Sequence, residues 1–171
     1  MSKTWIVDGY NFIRQSPRFS ELEIRDGDQG RAAALRWLGR FGQRTGEKVW
    51  VVFDAYSGLH SQMQKERIHG LTVWASRGGY TADEEIIALA REMRDAAVVI
   101  SSDRMIQEAA VKAGASILKS QEFEREVAKI LEGPAFEDEA EERAARRPGR
   151  GQAFRPPKEK KKALALLKKY Q

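Results

Sequence analysis

Acidic side chains follow three apolar segments of this sequence, each at the point where the segment ends. Asp8 closes "WIVD", Asp54 closes "VVFD" and Asp103 closes "VVISSD". A fourth acid, Asp83, lies in "TADEEI", which has the composition of a helix start. Carboxylates gathered in one place repel and raise one another's pKa unless a cation neutralises them. If the fold brings these acids together, the pattern indicates a cation site built from oxygen ligands.

The remaining composition favours a hard divalent cation. The chain has no cysteine, and its two histidines, His60 and His69, are too isolated for a zinc site. Ligands that are all oxygen favour Mg²⁺ or Mn²⁺. One or two such ions can stabilise charge on a phosphodiester, activate a water molecule and ease departure of the leaving oxygen. Cleavage of a phosphodiester is therefore the chemistry that these acids suit.

Each acid also has a structural explanation. Asp83 and Glu84 can be first-turn acids that suit the helix dipole, and Glu84 lies three residues after Thr81, which is the spacing of a capping box. Asp54 can be a loop residue after a strand, and Asp103 can begin a helix. Metal binding by Glu84 and Asp54 therefore stays an open alternative to these structural roles.

Neutral polar residues accompany the acids. Asn11 comes three residues after Asp8, and its amide could hydrogen-bond a phosphate without adding to the repulsion. Gly9 is expected to let the backbone turn sharply after Asp8. Ser101 and Ser102 are interpreted as helix-cap and supporting groups, because no histidine accompanies them as a base for a nucleophile.

Alternating strands and helices are predicted to bring these residues to one edge of a sheet. The strand segments are rich in Val and Ile and lack strict alternation, which is typical of strands buried on both faces of a parallel sheet. They are "TWIVD", "KVWVVFD", "LTVWAS", "AAVVISSD" and "ASILKS". The helical segments are "QGRAAALRWLGRFGQRTG", "TADEEIIALAREMRD", "DRMIQEAAVKAG" and "SQEFEREVAKILEG", the second and fourth starting at the caps Thr81 and Ser120. The fold class is thus a three-layer α/β domain with a mainly parallel sheet, whose carboxyl edge collects the acids.

The net charge of +5 is concentrated in the C-terminal tail. A domain boundary is expected near Gly133, with the domain in 1–133 and a charged linker and basic tail in 134–171, because the Pro, Gly and charge content after Gly133 cannot build a core. The tail is expected to be disordered or partly helical, since "KKKALALLKKY" could form a short helix if a partner orders it. It is either a solvated appendage or an arm that binds RNA phosphates. The candidate contacts in the arm are Arg146, Arg147, Arg150, Lys160, Lys161 and Lys162.

Other basic residues near the acids are candidate RNA contacts. Lys65 and Arg67 lie in a polar segment between the second and third predicted strands, where a solvated loop is the alternative. Arg77 and Tyr80 lie in "SRGGY", and a ring there could stack on a base. Arg104 follows Asp103 and is expected either to contact phosphate or to pair with an acid.

Four segments in this order resemble the NYN domain, a branch of the PIN-like nucleases, and more narrowly the YacP-like NYN proteins. They are "VDGYN", "VVFDA", "TADEEI" and "VVISSDRMIQEAA", and the resemblance spans residues 3–131. It implies a PIN-like sheet of order 3-2-1-4-5 and a Mg²⁺-dependent endoribonuclease that cleaves mRNA in association with ribosomes. It also implies that Asp8, Asp83 and Asp103 bind metal and that Asn11 joins them in catalysis. Gln107 stands where some NYN ribonucleases have a further acid, which weakens the expectation of a second metal ion.

Other functions fit the residues less well. A response-regulator receiver domain needs an acid pair after its first strand, and a haloacid-dehalogenase phosphatase needs a second acid two residues after the first, where this chain has Tyr10. A glycine fingerprint for dinucleotides is absent. A catalytically silent RNA- or ribosome-binding module of the same fold remains the alternative. With no apolar run near 18 residues and no signal-peptide pattern, a cytoplasmic protein with RNA and no membrane as its partner is expected.

Overall fold

The computed structural model describes residues 2–55, 62–133 and 157–171. Within these ranges the strands form one sheet, and the helices cover both of its faces. The strands are β1 Thr4–Asp8, β2 Lys48–Phe53, β3 Gln64–Ile68, β4 Leu71–Ala75, β5 Ala97–Ile100 and β6 Ser116–Leu118. The helices are α1 Gly9–Gln15, α2 Ser20–Arg25, α3 Gly27–Thr45, α4 Ala82–Met93, α5 Arg104–Ala113, α6 Ser120–Glu132 and α7 Lys158–Leu167.

The sheet has the order β3-β4-β2-β1-β5-β6. All neighbouring pairs are parallel except β3 and β4, which are antiparallel. The five predicted strands are β1, β2, β4, β5 and β6, and they have the predicted order 3-2-1-4-5. The three-layer α/β fold with a mainly parallel sheet is therefore confirmed, with β3 added at one edge.

Strand β3 corrects the interpretation of its segment as a solvated loop. Its sequence "QKERI" is polar and almost wholly exposed, so it carries no hydrophobic signal. The strand forms because a tight turn at His69 and Gly70 places it beside β4. The backbone of β3, from Gln64 to Ile68, then pairs with the backbone of β4. Both turn residues have positive φ, 50° and 82°, and glycine adopts such a conformation without strain.

Helices α3 to α6 correspond to the four predicted helices, whereas α1 and α2 were not predicted. Both missed helices are short, at 7 and 6 residues, and neither has a side-chain hydrogen bond at its N-cap. Helix α1 begins directly after β1, so that "DGYN" belongs to a strand–helix junction rather than to a loop.

Two hydrophobic clusters fill the space between the layers. The larger contains Trp5, whose ring meets Phe41 edge-on at 5.7 Å and stacks on Phe123 at 5.6 Å. The smaller lies on the opposite side of the sheet and includes Ile6 and Ile86. Successive residues of β1 thus face opposite clusters, which explains why this strand is continuously apolar.

Helix α7 packs on the larger cluster. Ala163 and Leu167 are fully buried there, and the helix lies against β6, the strand at one edge of the sheet. Just beyond the helix, the Tyr170 hydroxyl donates to Glu47 Oε1 at 2.6 Å. The tail is therefore partly helical, as expected, and the partner that orders its helix is the domain itself. The boundary near Gly133 stays a prediction, because residues 134–156 lie outside the described ranges.

Across the described ranges, we find no helix that is both long enough and apolar enough to cross a membrane.

Candidate active site

The carboxyl ends of the parallel strands deliver all four predicted acids to one edge of the sheet. Asp8 is the last residue of β1, Asp54 follows β2, and Asp103 follows β5 by three residues. Asp83 is the second residue of α4, the helix that follows β4. These acids influence one another: burial is the main cause of the raised pKa of Asp83, and Asp103, Asp54 and Glu84 raise it further.

Asp8 is the most buried of these acids, with 6% of its surface exposed. Burial raises the pKa of Asp8 to about 6, because a low-dielectric environment disfavours the ionised carboxyl. A hydrogen bond that its Oδ2 accepts from the Ser101 hydroxyl at 3.0 Å opposes this effect. The charges of Asp83 and Asp54 add smaller upward contributions to the pKa.

Ser101 connects the two strand ends that hold Asp8 and Asp103. It is fully buried, donates to Asp8, and accepts from the Asp103 backbone N–H at 3.1 Å. Gln107 donates its side-chain amide to the Ser101 carbonyl at 2.6 Å. Gln107 therefore supports the serine in this chain, and the interpretation of Ser101 as a supporting group agrees with its contacts.

Asn11 is fixed by two hydrogen bonds to its carbonyl oxygen. Its Oδ1 accepts from the Ser102 backbone N–H at 2.9 Å and from the Ser120 hydroxyl at 2.8 Å. With the oxygen used in this way, the group that Asn11 can offer a ligand is its NH₂ donor. Such a donor suits a phosphate oxygen and does not suit a cation.

Ser120 was missed as a site residue because its position predicted a helix cap. Lys119 is the N-cap of α6, and the Ser120 side chain is thereby released to hold Asn11. The Ser120 N–H also donates to the Ser102 hydroxyl at 3.2 Å. The available signal was a polar residue at the end of the fifth predicted strand, since that position also lies at the carboxyl edge.

Gly9 corrects a further expectation. It is absent from the glycines with positive φ, so a sharp turn does not explain it. A Cβ atom at this position would lie 2.4 Å from the Phe53 ring. Glycine is required here because the start of α1 packs directly against the end of β2.

Asp54, Glu84 and Asp103 lie at this edge of the sheet and also make hydrogen bonds that stabilise the fold. Asp54 Oδ1 accepts from the Ala82 N–H at 2.7 Å and so holds the start of α4 against the end of β2. Glu84 and Thr81 form a reciprocal capping box. Asp103 Oδ1 caps α5 through the N–H groups of Met105 and Ile106, at 2.7 and 3.1 Å. The structural explanations weighed for these residues thus describe real contacts.

The acids have the chemistry that a divalent cation needs, but their side chains are not arranged around one point. Within the described ranges, no three Asp, Glu or His side chains come together as a metal-binding group. The predicted cluster of Asp8, Asp83 and Asp103 is therefore not assembled as a ligand shell. The same carboxylates are nevertheless coupled through their charges, and their uncompensated repulsion is the condition that a hard cation relieves.

The predicted RNA contacts are dispersed around the domain. Lys65 lies over the Trp74 ring at 5.6 Å, and Arg67 donates to the Thr72 hydroxyl at 3.2 Å, both from the exposed edge strand. Arg104 is 91% exposed beside the acids and pairs with Glu108 at 2.7 Å.

Arg77 pairs with a buried acid, Glu85, which the sequence analysis did not identify. Glu85 is 2% exposed, and its Oε1 lies 2.9 Å from the Arg77 Nε and accepts from the Arg77 backbone N–H at 3.3 Å. The Arg77 guanidinium also lies 3.8 Å over the Tyr80 ring. Glu85 sits in a helix start with three consecutive acids, so the sequence alone did not distinguish the buried one.

The tail residues divide into those that lie on α7 and those that lie outside the described ranges. Arg146, Arg147 and Arg150 belong to the second group. On α7, Lys160 pairs with Glu122 in the first turn of α6, whereas Lys161 and Lys162 are exposed. The start of α7 therefore lies beside the helix end that carries Ser120, close to the acidic edge.

Comparisons with known proteins agree with this architecture. The family model described as the YacP-like NYN domain matches residues 5–165. The uncharacterized protein YacP of Bacillus subtilis (strain 168) is 32% identical over 130 residues, covering 73% of this chain and 75% of YacP. A crystal structure of Rae1 (YacP) from Bacillus subtilis matches with a TM-score of 0.61 at 30% identity, covering 85% of this chain and 80% of that one. A structure of a point mutant of Rae1 gives a TM-score of 0.63 at 27% identity, with 84% and 82% covered.

Proposed function

Because this chain belongs to the YacP-like NYN domain family, and so has a PIN-like nuclease fold, we propose that it is a metal-dependent endoribonuclease. Its substrate is RNA, and the resemblance points to mRNA on ribosomes in the cytoplasm. The reaction is hydrolysis of a phosphodiester bond with Mg²⁺ or Mn²⁺ as cofactor. Asp8, Asp83, Asp103 and Asn11 carry the chemistry.

The observation that supports this proposal most strongly is the buried carboxyl of Asp8. Its raised pKa means that the ionised form is held at a cost in folding free energy near neutral pH. A domain that only binds RNA gains nothing from this cost. If the carboxylate is the ligand of a cation, the bound cation offsets this cost, because an opposite charge favours the ionised form.

The residues divide between holding the cofactor and holding the substrate. Asp8, Asp83 and Asp103 would hold the cation, with Asp54 and Glu84 as further ligands if they leave their structural contacts. A divalent ion bound there supplies charge stabilisation for the phosphate and lowers the pKa of water. Asn11 then donates its NH₂ group to a phosphate oxygen, since Ser102 and Ser120 fix its orientation.

Attraction to RNA comes from basic residues outside the acidic edge. Lys161 and Lys162 are exposed on α7, and Arg104 is exposed next to Asp103. Exposed cations gain affinity for nucleic acid by releasing its counterions. Arg77, Lys65 and Arg67 are the remaining candidates on the domain, together with Arg146, Arg147 and Arg150 of the tail. Lys160 was also a candidate from the sequence, but its pairing with Glu122 occupies its charge.

A cleavage assay with a matched variant tests the proposal. The intact protein is incubated with free RNA and with ribosome-bound mRNA, in Mg²⁺, in Mn²⁺ and in a chelator. We expect internal cleavage that requires the ion and that is lost in an Asp8→Asn, Asp103→Asn double variant. Asparagine is a good N-cap, so Asp103→Asn preserves the start of α5.

Two results would count against the proposal. Cleavage that continues in the chelator would remove the metal from the reaction. Specific binding of RNA or ribosomes by the intact protein, without cleavage under any of these conditions, would instead favour the silent binding module. Comparison of free with ribosome-bound RNA then decides whether cleavage requires the ribosome.

A further inference from the structure

We propose that Tyr80 is a base-stacking platform that positions single-stranded RNA next to the acidic edge, a role that rests on the proposed ribonuclease function. The occupant is one nucleobase of the substrate, stacked on the exposed face of the ring. The residues that build the platform are Arg77, Tyr80 and Glu85.

The ring of Tyr80 is open on one side. It is one of three large hydrophobic side chains exposed among the described residues, with 47% of its surface exposed. The Arg77 guanidinium lies 3.8 Å from the ring centroid and covers one face. The guanidinium leaves the opposite face for a ligand, and an accessible aromatic face is the surface on which unpaired bases stack.

Contacts within the protein hold the platform in place before RNA binds. Glu85 is buried and holds Arg77 through both its side chain and its backbone N–H. The Tyr80 N–H donates to the Arg77 carbonyl at 3.1 Å, closing a turn in which Gly79 has a φ of 80°. Thr81, the next residue, is fixed by its capping box. A ring held in place loses little freedom when a base stacks on it, so more of the stacking energy appears as affinity.

The position of the ring relative to the acids defines which nucleotide it meets. Tyr80 precedes Asp83 by three residues, a separation of at most about 10 Å along the chain. Asp54 anchors this same segment to the end of β2 through the Ala82 N–H. A base on Tyr80 therefore belongs to a nucleotide at or next to the phosphate held at the acidic edge.

The arrangement also places a positive, partly exposed side chain against one face of the ring. Arg77 neutralises Glu85 and places a cation under the π face, close to a group of uncompensated acids. A neutral base can approach the outer face without the repulsion that a second phosphate would meet from Asp83 and Glu84. The Tyr80 ring can therefore accept a neutral base at a position where the acids repel a phosphate of the RNA backbone.

A double-mutant cycle between protein and RNA tests the platform. The affinity of the full chain for a short single-stranded RNA is measured in a chelator, which prevents metal-dependent cleavage. Tyr80→Ala is expected to weaken binding on the order of 10- to 100-fold, and Tyr80→Phe to retain most of the affinity. An RNA series with one abasic nucleotide at each position should contain one member that weakens the wild-type protein similarly. That same member should bind Tyr80→Ala no worse than intact RNA does.

The matched control is Ile24→Ala, which removes another exposed hydrophobic side chain, one that is 80% exposed. This variant should bind as the wild type does. Thermal unfolding of Tyr80→Ala should give an unchanged midpoint, because the ring is at the surface.

The outcomes separate the platform from the proposed ribonuclease activity. A coupled loss at one RNA position supports the platform even if no cleavage is found. Normal cleavage by Tyr80→Ala with unchanged KM, or losses that simply add at every abasic position, would overturn the platform and leave the ribonuclease proposal standing. Among single bases at the coupled position, purines should bind more tightly than pyrimidines because they stack over a larger area.

Discussion

Replacing Asp8 by asparagine is expected to stabilise the domain near neutral pH. Asp8 is almost fully buried, and burial is the main cause that raises its pKa from 3.8 to about 6. At about 1.36 kcal/mol per pH unit, this difference corresponds to about 3 kcal/mol of folding free energy lost by the ionised carboxyl. Asparagine keeps an oxygen that can accept from Ser101, so the hydrogen bond survives while the charge is removed.

The sign of the pH dependence follows from the raised pKa. Below about pH 4, Asp8 is protonated in both the folded and the unfolded protein, and the substitution changes the stability little. Between about pH 4 and pH 6, the unfolded chain has released the proton and the folded protein has not, so the stability contributed at this position falls as the pH rises. The advantage of the variant should therefore grow over this interval and level off at about 3 kcal/mol above pH 7.

Denaturant unfolding in a chelator, from pH 4 to pH 8, measures this advantage directly. Asp95→Asn is the matched control, because Asp95 is an exposed acid in the 3₁₀ turn Arg94–Ala96. Addition of Mg²⁺ should then stabilise the wild-type protein more than the variant, since a ligand of the folded state raises its stability. An Asp8→Asn protein that is no more stable than wild type at pH 7.5, or whose advantage does not change with pH, would refute the reasoning.

Three further variants test the packing, the capping and the basic residues of α7. Leu167→Ala should lower the free energy of unfolding by about 2–5 kcal/mol, because Leu167 is fully buried, whereas exposed Lys168→Ala should not; denaturant unfolding decides. Thr81→Ala should cost about 1 kcal/mol in the same assay through loss of the capping box, and Thr81→Ser should restore it. The double variant Lys161→Gln, Lys162→Gln should reduce the slope of log affinity for RNA against log salt concentration by about 1.4, at about 0.7 per lost phosphate contact. Lys160→Gln should leave this slope unchanged, because Lys160 already pairs with Glu122. If the slope of every lysine variant equals that of the wild-type protein, α7 is not part of the RNA-binding surface.

The elements with the strongest local signals were predictable. The five parallel strands are short runs of Val and Ile that the two hydrophobic clusters bury on both sides, so composition alone identified them. The order 3-2-1-4-5 came from the resemblance to NYN domains, and the five parallel strands have it, although β3 extends the sheet by one strand. The cap at Thr81 was also predictable, because it depends on contacts within a few residues of the chain.

The candidate site was predictable only at the level of the strand ends. Placing Asp8, Asp54 and Asp103 at one edge requires only that parallel strands point the same way. The contacts that orient the side chains join distant parts of the chain: Asn11 with Ser120, and Asp8 with Ser101. No local pattern encodes such contacts.

The sequence by itself determined the five apolar strands, the main helices and the set of acids, because these follow from periodicity, composition and short-range capping. The tertiary structure decided the rest. Strand β3 is polar and exists because β4 offers it a backbone to pair with, and α7 is held because Ala163 and Leu167 find a hydrophobic surface on the domain. Glu85 and Arg77 acquired their roles only when folding buried the acid and brought the guanidinium over Tyr80. Such effects depend on burial and on partners far away in the chain, and both are properties of the folded molecule.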